Sequence, residues 1–243
     1  VLKSYGVSVI TGAGLKEIKE GTAVYTKNGE EDTLDGDAIL LATGRGPNTE
    51  GLHAERAGVE LTKRGAVVTD KHLRTTAENI WAAGDVCGNL QFTYISLDDS
   101  RIILSDMQGD GSRTTENRGA FAYSVFMEPS FSRAGLSEKE AADKGLNYRV
   151  VRMNTDMIPK AKVLRKTAGM LKAVIDKDSG KILGAALFCP ESYEIINMVK
   201  LAMDHDLDYT VLRDFIYTHP TMSEGLNLSL IHISEPTRPI SIS

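Results

Sequence analysis

The sequence contains little cysteine, and this limits the kinds of site it can build. Cys87 and Cys189 are the only two cysteines in 243 residues, and they lie far apart in the chain. They form neither a Cys-x-x-Cys pair nor a cluster with metal-ligand spacing, so we expect no metal site and no disulfide framework. Sparse, unclustered thiols are typical of a reducing compartment, and we predict a cytoplasmic protein.

Long apolar runs and an excess of basic charge are also missing. No apolar stretch reaches the roughly 18 residues that a membrane span requires, so we expect no membrane partner. The formal net charge is −5 and no basic stripe is present, which argues against a nucleic-acid partner. An apolar fraction of 42% over 243 residues predicts a globular protein of one or two domains.

Hydrophobic periodicity predicts a mixed α/β chain. Apolar runs at residues 7–10, 37–43 and 79–83 have the pattern of short strands, the latter two buried on both faces. Asn28-Gly29 joins two alternating segments and predicts a two-residue hairpin. The other predicted elements are strands at 15–19, 22–27, 30–34, 123–126, 148–153, 170–176 and 182–188, and helices at 91–109, from 137, at 194–204 and at 210–217. A polar stretch at 110–118 separates the halves, and the second half has the pattern of an α+β unit.

Two predicted strands end in glycine followed by a charged residue. Gly44-Arg45 follows the run at 37–43, and Gly84-Asp85 follows the run at 79–83. A glycine at a strand end lets backbone approach a ligand closely, and an aspartate beyond it can accept hydrogen bonds from sugar hydroxyls. The helix that starts near Gln91 would direct its positive N-terminal end toward the same crevice. Either motif alone is more often structural than functional.

The segment from His219 to Glu224 has two interpretations. Thr221-x-x-Glu224 is a capping box, which would make Glu224 structural and His219 a surface histidine before a turn. Alternatively, Glu224 orients and charges His219, and an imidazole with a carboxylate partner can shuttle a proton near neutral pH. These six residues alone leave both interpretations open.

The order of the three motifs resembles one family. Ala-Thr-Gly-Arg-x-Pro-Asn, then Ala-Ala-Gly-Asp-Val, then His-Pro-Thr-x-Ser-Glu follow one another as in class I pyridine nucleotide-disulfide oxidoreductases of the glutathione reductase, lipoamide dehydrogenase and mercuric reductase type. The resemblance covers residues 1–227. Segments 91–99 and 158–162 resemble the reactive-chlorine-resistance branch, which is associated with reduction of hypothiocyanous acid and for which copper(II) reduction has been proposed.

The resemblance implies an α/β fold in three parts. Residues 1–46 would be the end of a Rossmann-like NAD(P)-binding domain, residues 47–118 the C-terminal part of an FAD-binding domain, and residues 119–227 an α+β dimerisation domain. FAD and NAD(P)H are the implied cofactors, and a homodimer is the implied assembly. The implied substrate is a small oxidised molecule such as hypothiocyanous acid, a disulfide or a metal ion.

The resemblance also implies which residues contact the cofactors. The Asp85 carboxylate would bind the ribityl chain of the flavin, and Gly44 would contact the nicotinamide nucleotide. The start of the helix near Gln91 would lie beside the flavin pyrimidine ring. The full implied set is Gly44, Arg45, Gly84, Asp85, Gln91, Phe92 and Thr93.

His219 and Glu224 match the catalytic acid–base pair that serves the redox thiol of the partner subunit. Cys87 and Cys189 match no redox position. The Cys-x4-Cys redox pair of the family and its two Gly-rich loops would precede Val1. We therefore expect an N-terminally truncated chain that is inactive alone, whose parent passes electrons from NAD(P)H through flavin and a cysteine pair to the substrate.

The last residues depart from the family. Residues 228–243 resemble a translated sequencing adapter, and we interpret them as a non-native tail that is left out of the fold. His232 and Glu235 accordingly receive no functional interpretation.

Two other functions remain open. One is a same-fold NADH oxidase or coenzyme A-disulfide reductase type of enzyme that uses one cysteine or none, against which the His219–Glu224 pair argues. The other is a non-catalytic dimerisation fragment. An upstream Cys-x4-Cys pair would decide for the dithiol enzyme. The resemblance further predicts a cis bond between His219 and Pro220, against a low base rate for such bonds, and a second half that is more stable than the first.

Overall fold

The computed structural model describes residues 1–231, and the chain divides after Thr115 into two compact units. Unit 1 is residues 1–115, and unit 2 is the described part that follows. The strands in this part of the chain are β1 (Ala13–Lys19), β2 (Thr22–Lys27), β3 (Glu30–Asp35), β4 (Ala122–Val125), β5 (Phe131–Gly135), β6 (Tyr148–Asn154), β7 (Met170–Asp176) and β8 (Ile182–Phe188). The α-helices are α1 (Thr93–Gln108), α2 (Glu138–Asp143), α3 (Pro159–Leu164), α4 (Ser192–Asp204), α5 (Tyr209–Asp214) and α6 (Gly225–Ile231).

Unit 1 opens with a three-stranded antiparallel sheet in the order β1-β2-β3. Asn28 and Gly29 link β2 to β3 with φ angles of 53° and 87°. Positive φ at both central residues is what a two-residue turn between twisted strands requires. The predicted hairpin is therefore confirmed.

Three predicted strands of unit 1 are wrong. Residues 7–10 and 37–43 have no regular structure, and of residues 79–83 only Trp81 makes an isolated bridge, with Arg74. Leu40 is 90% exposed instead of buried. A strand that is buried on both faces needs neighbouring strands to pair its backbone groups, and residues 1–231 provide none for these runs.

The helix predicted at 91–109 is confirmed as α1. Ile95 and Ile102 of α1 are buried. Near its C-terminal end, Asp106 accepts hydrogen bonds from Arg74 Nε and Nη2, both at 2.7 Å, and from Trp81 Nε1 at 2.9 Å. These bonds attach α1 to the loop that precedes Gly84-Asp85.

Unit 2 is an α+β unit built on a five-stranded antiparallel sheet in the order β4-β5-β8-β7-β6. Helix α4 packs on β4, β5 and β8, and α6 contacts β6 and β7. The buried cluster between sheet and helices includes Leu171, Leu187, Ile195 and Val199. The predicted strands at 148–153, 170–176 and 182–188 are confirmed, as is the Ser137–Glu140 capping box at the start of α2.

Unit 2 also contains elements that the sequence interpretation missed. Strand β5 and helix α3 were not predicted. Residues 228–231 were expected to lie outside the fold, but they continue α6, and Ser229 and Leu230 are buried. The expectation failed because Leu228 and Leu230 extend the apolar face of the helix. The rest of the expected tail, with His232 and Glu235, lies outside the described residues.

Candidate functional site

In unit 1, the turn at Gly84-Asp85 is fixed against α1. Gly84 is buried, with a φ of 75°, and its N–H donates a hydrogen bond to Asp99 Oδ2 at 2.7 Å. A Cβ at this position would lie 2.6 Å from Ser96 Oγ. Only glycine satisfies both the left-handed backbone and this close approach.

The carboxylate of Asp85 faces solvent beside Arg45. Its side chain is 47% exposed, and Arg45 Nη2 lies 3.9 Å from Asp85 Oδ2. Gly44 has a φ of 104°, and a Cβ added at this position would have no atom within 4 Å. Thus the structure brings Arg45 and Asp85 together, and the glycine beside them leaves its backbone open to a ligand.

The start of α1 has the character of an anion-facing helix end. Phe92 is the N-cap residue, and no side chain of the described residues caps this end of the helix. Thr93 is exposed, and Gln91 and Phe92 are half-buried. The unsatisfied N–H groups of a first helical turn carry partial positive charge. Unit 1 therefore offers a hydrogen-bond acceptor at Asp85 and a partly positive helix end at the start of α1.

In unit 2, His219 and Glu224 are in direct contact. His219 Nδ1 lies 2.8 Å from Glu224 Oε2. The imidazole is 67% exposed, whereas the carboxylate is only 14% exposed. The peptide bond between His219 and Pro220 is cis, as predicted.

Glu224 makes the contacts that both interpretations of this segment require. The capping box is present, because Glu224 Oε1 accepts from the Thr221 N–H at 3.2 Å and Thr221 Oγ1 accepts from the Glu224 N–H at 3.4 Å. The second carboxylate oxygen remains for His219. One side chain of Glu224 therefore caps a turn and orients an imidazole.

This geometry determines what the imidazole can do. A carboxylate at Nδ1 favours the proton on that nitrogen, which leaves Nε2 as the acceptor. Because His219 is exposed, Nε2 can reach a group outside the unit. The pair can therefore take up and return a proton at Nε2.

Two supporting residues were missed from the sequence. The Tyr217 hydroxyl donates to the Leu212 carbonyl at 3.0 Å, and Asn227 Nδ2 donates to the Arg213 carbonyl. Burial raises the pKa of Tyr217 to about 12, so its hydroxyl stays a donor. These bonds tie both ends of the His219 segment to α5, and no sequence pattern marks them.

The two cysteines lie in buried positions. Burial is the main cause that raises the pKa of the Cys189 thiol to about 12, which suppresses the reactive thiolate at neutral pH. Cys87 is buried next to Gly84-Asp85. Residues 1–231 contain no cluster of three or more metal-ligating side chains. Within the same residues no helix has the length and apolar character to span a membrane.

Comparison with known proteins supplies the family. The profile of the pyridine nucleotide-disulphide oxidoreductase family matches residues 1–100, and that of the family's dimerisation domain matches residues 121–229. The protein named "Probable pyridine nucleotide-disulfide oxidoreductase RclA" from Escherichia coli (strain K12) is 47% identical over 227 residues, which are 93% of this chain and 52% of that protein. Mercuric reductase from Staphylococcus aureus is 32% identical over 245 residues, covering 99% of this chain and 44% of that protein.

A solved structure agrees with the sequence comparison. The HOCl-induced flavoprotein disulfide reductase RclA from Escherichia coli matches with a TM-score of 0.87 at 45% identity, over 96% of this chain and 54% of that one. The chain thus spans about half the length of the relatives it matches. It belongs to the pyridine nucleotide-disulphide oxidoreductase family, whose members depend on flavin and pyridine nucleotide.

Proposed function

We propose that this chain is the C-terminal part of an FAD-dependent NAD(P)H oxidoreductase in which His219 and Glu224 form the acid–base pair. The observation that carries the proposal is the 2.8 Å contact between His219 Nδ1 and Glu224 Oε2 with the imidazole exposed. With Nδ1 bonded to Glu224, the exposed imidazole leaves Nε2 accessible to a reacting group. The family membership supplies the redox chemistry in which such a pair is useful.

The proposed domains follow the family. Residues 1–46 end the NAD(P)-binding domain, residues 47–118 end the FAD-binding domain, and residues 119–227 form the dimerisation domain. Gly84, Asp85, Gln91, Phe92 and Thr93 would hold the flavin, and Gly44 with Arg45 would contact the nicotinamide nucleotide. When bound, the flavin carries electrons from NAD(P)H toward a cysteine pair that is not part of this chain.

Each unit-1 residue has a definite task in this proposal. Asp85 accepts hydrogen bonds from flavin hydroxyls, and Arg45, 3.9 Å away, balances its charge. Gly84 fixes the turn that presents this carboxylate. The uncapped start of α1 favours negative charge on a ligand group that lies next to this end of the helix.

His219 acts on the thiols of a partner subunit in a homodimer. Its Nε2 takes the proton from the attacking thiol and returns it to the leaving sulfur, so the nucleophile reacts as thiolate. Glu224 stabilises the imidazolium that forms between these steps. The dimerisation domain supports the homodimer.

The substrate is proposed to be a small oxidised molecule: hypothiocyanous acid, a disulfide or a metal ion. Similarity to RclA, which is described as HOCl-induced and was also solved as a Cu(II) complex, supports this class. A cytoplasmic location fits two buried cysteines that form no disulfide within residues 1–231.

Stopped-flow spectroscopy of the full-length flavoprotein tests the role of His219. In His219→Ala, we expect substrate reduction to slow by about 10²–10⁴-fold, while reduction of the flavin by NAD(P)H stays nearly unchanged because hydride transfer needs no proton from this residue. Glu224→Gln should slow the same half-reaction by less. Equal slowing of both half-reactions, or of neither, would favour the purely capping role of the segment.

A further inference from the structure

Gly225, the first residue of α6, is packed so closely that a Cβ at this position would require the Ile158 side chain or the α6 backbone to shift. A Cβ at this position would lie 2.6 Å from Ile158 Cδ1, 3.2 Å from Ile158 Cγ1 and 3.3 Å from Leu171 Cδ2. Its backbone is not left-handed, so conformational freedom is not the reason for a glycine here. The reason is steric: the backbone of α6 lies directly on the Ile158 side chain.

Ile158 has little room to move away from Gly225. It is fully buried, and Leu171 beside it is nearly so. The Ile158 N–H donates to the Thr155 carbonyl at 3.0 Å, and Thr155 Oγ1 donates to the Phe188 carbonyl of β8 at 3.2 Å. Ile158 is therefore held in place beside the sheet of unit 2.

Gly225 directly follows Glu224, both of whose carboxylate oxygens have partners. One oxygen accepts from the Thr221 N–H and the other faces His219 Nδ1. The Gly225 N–H donates to the carbonyl of Met222 at 3.1 Å, and Met222 is buried. A displacement of the backbone at Gly225 would thus move the Glu224 backbone, while the bond from the Thr221 N–H holds one oxygen of its carboxylate.

We propose that Gly225 and Ile158 are positioning residues for the acid–base pair: their contact sets the place of the Glu224 backbone and, through it, the bond to His219 Nδ1. The inference rests on the proposed function for its significance. The steric coupling itself follows from residues in unit 2. A Cβ at 225 would push α6 away from Ile158 and leave the carboxylate unable to serve both Thr221 and His219.

NMR of the ¹⁵N-labelled chain tests this coupling without any activity assay. Long-range ¹H–¹⁵N spectra report which imidazole nitrogen of His219 carries the proton. We expect the wild type and Ile158→Val to show the Nδ1–H form, and Gly225→Ala to lose it. The double variant Ile158→Val, Gly225→Ala should regain it, because valine lacks the Cδ1 atom that lies 2.6 Å from the added methyl group.

A second variant guards against loss of folding in Gly225→Ala. Ile158→Met presses a longer but flexible side chain on the intact glycine, and it should also weaken the Nδ1–H signal. The backbone amide pattern of β7 and β8 shows that each variant is folded. If the folded variants all keep the wild-type His219 signal, or if the double variant folds without regaining it, the proposal is overturned. Because the signal does not depend on electron transfer, this outcome is separate from failure of the stopped-flow test.

Discussion

At the scale of the residue, the turn at Gly84-Asp85 requires a glycine at position 84. Its left-handed backbone and its contact with Ser96 both exclude a Cβ. Its N–H is satisfied by the buried Asp99 carboxylate. The position of Asp85 therefore depends on the absence of one methyl group at its neighbour.

We expect Gly84→Ala to destabilise unit 1. A left-handed backbone costs alanine about 1–2 kcal/mol, and overpacking against Ser96 costs about 1–3 kcal/mol more. Urea unfolding followed by the fluorescence of Trp81, the only tryptophan, measures the loss. Gly46→Ala is the matched control, because the added methyl group would have no atom within 4 Å. Equal unfolding midpoints for the two variants would contradict the steric account.

At the scale of the element, α1 is attached at two places to the loop that carries Gly84-Asp85. Asp99, in the middle of the helix, accepts from the Gly84 N–H, and Asp106, near its C-terminal end, accepts from Arg74 and Trp81. The Arg74 hydrogen bond is the main cause that lowers the pKa of Asp106 below its usual 3.8. The helix and the loop should therefore come apart together when Asp106 is protonated.

This attachment predicts an acid-dependent loss of stability. A carboxyl group whose folded pKa is depressed stabilises the fold above its unfolded pKa, and that contribution disappears as pH falls below 3.8 toward the folded value. The stability of unit 1 against unfolding, followed by Trp81 fluorescence, should fall less in Asp106→Asn than in the wild type as pH is lowered below 3.8. Asp37→Asn, at an exposed position, should keep the wild-type pH dependence. The same pH dependence in Asp106→Asn would refute the role of Asp106.

Elements with local signals could be predicted from the sequence, and elements that need partners could not. Asn28-Gly29 and the Ser137–Glu140 capping box are encoded by adjacent residues, and both formed as predicted. The apolar run at 37–43 has a strand pattern but no neighbour to pair with. Strand β5 escaped prediction because Ser132 and Arg133 interrupt its apolar pattern, although Ser132 is fully buried and hydrogen-bonded to Ser192.

In the candidate site too, residues in a local motif could be predicted from the sequence, and residues related only by packing could not. Spacing and resemblance identified His219 and Glu224, and the structure places them in contact. Gly225 and Ile158 could not be found in this way, because their relation is a packing distance between distant parts of the chain. Sequence periodicity carries no information on such a distance.

At the scale of the whole molecule, the two units differ in how much apolar surface they bury. The continuous buried cluster runs from Ala134 to Leu230 and lies entirely in unit 2. Unit 1 buries few apolar side chains and leaves the segment at 37–47 without regular structure. Local stability follows buried apolar contacts, so unit 2 should be the more stable.

Limited proteolysis of the chain should show this difference. Trypsin is expected to cut early after Arg45, which is highly exposed in the unstructured segment. A fragment that begins near residue 119 should persist longest. Mass spectrometry identifies the fragments. Survival of the residues before 110 after digestion of the later half would contradict the assignment of stability to unit 2.

The most direct test of the account is whether His219 of one subunit serves the redox thiols of the other. Mixed dimers of the full-length flavoprotein would combine one subunit carrying His219→Ala with one subunit whose redox cysteines are replaced by serine. One complete site would then form per dimer, and we predict about half of the wild-type rate of substrate reduction, although neither parent homodimer has a complete site. Mixed dimers as slow as the faster parent homodimer would contradict the account.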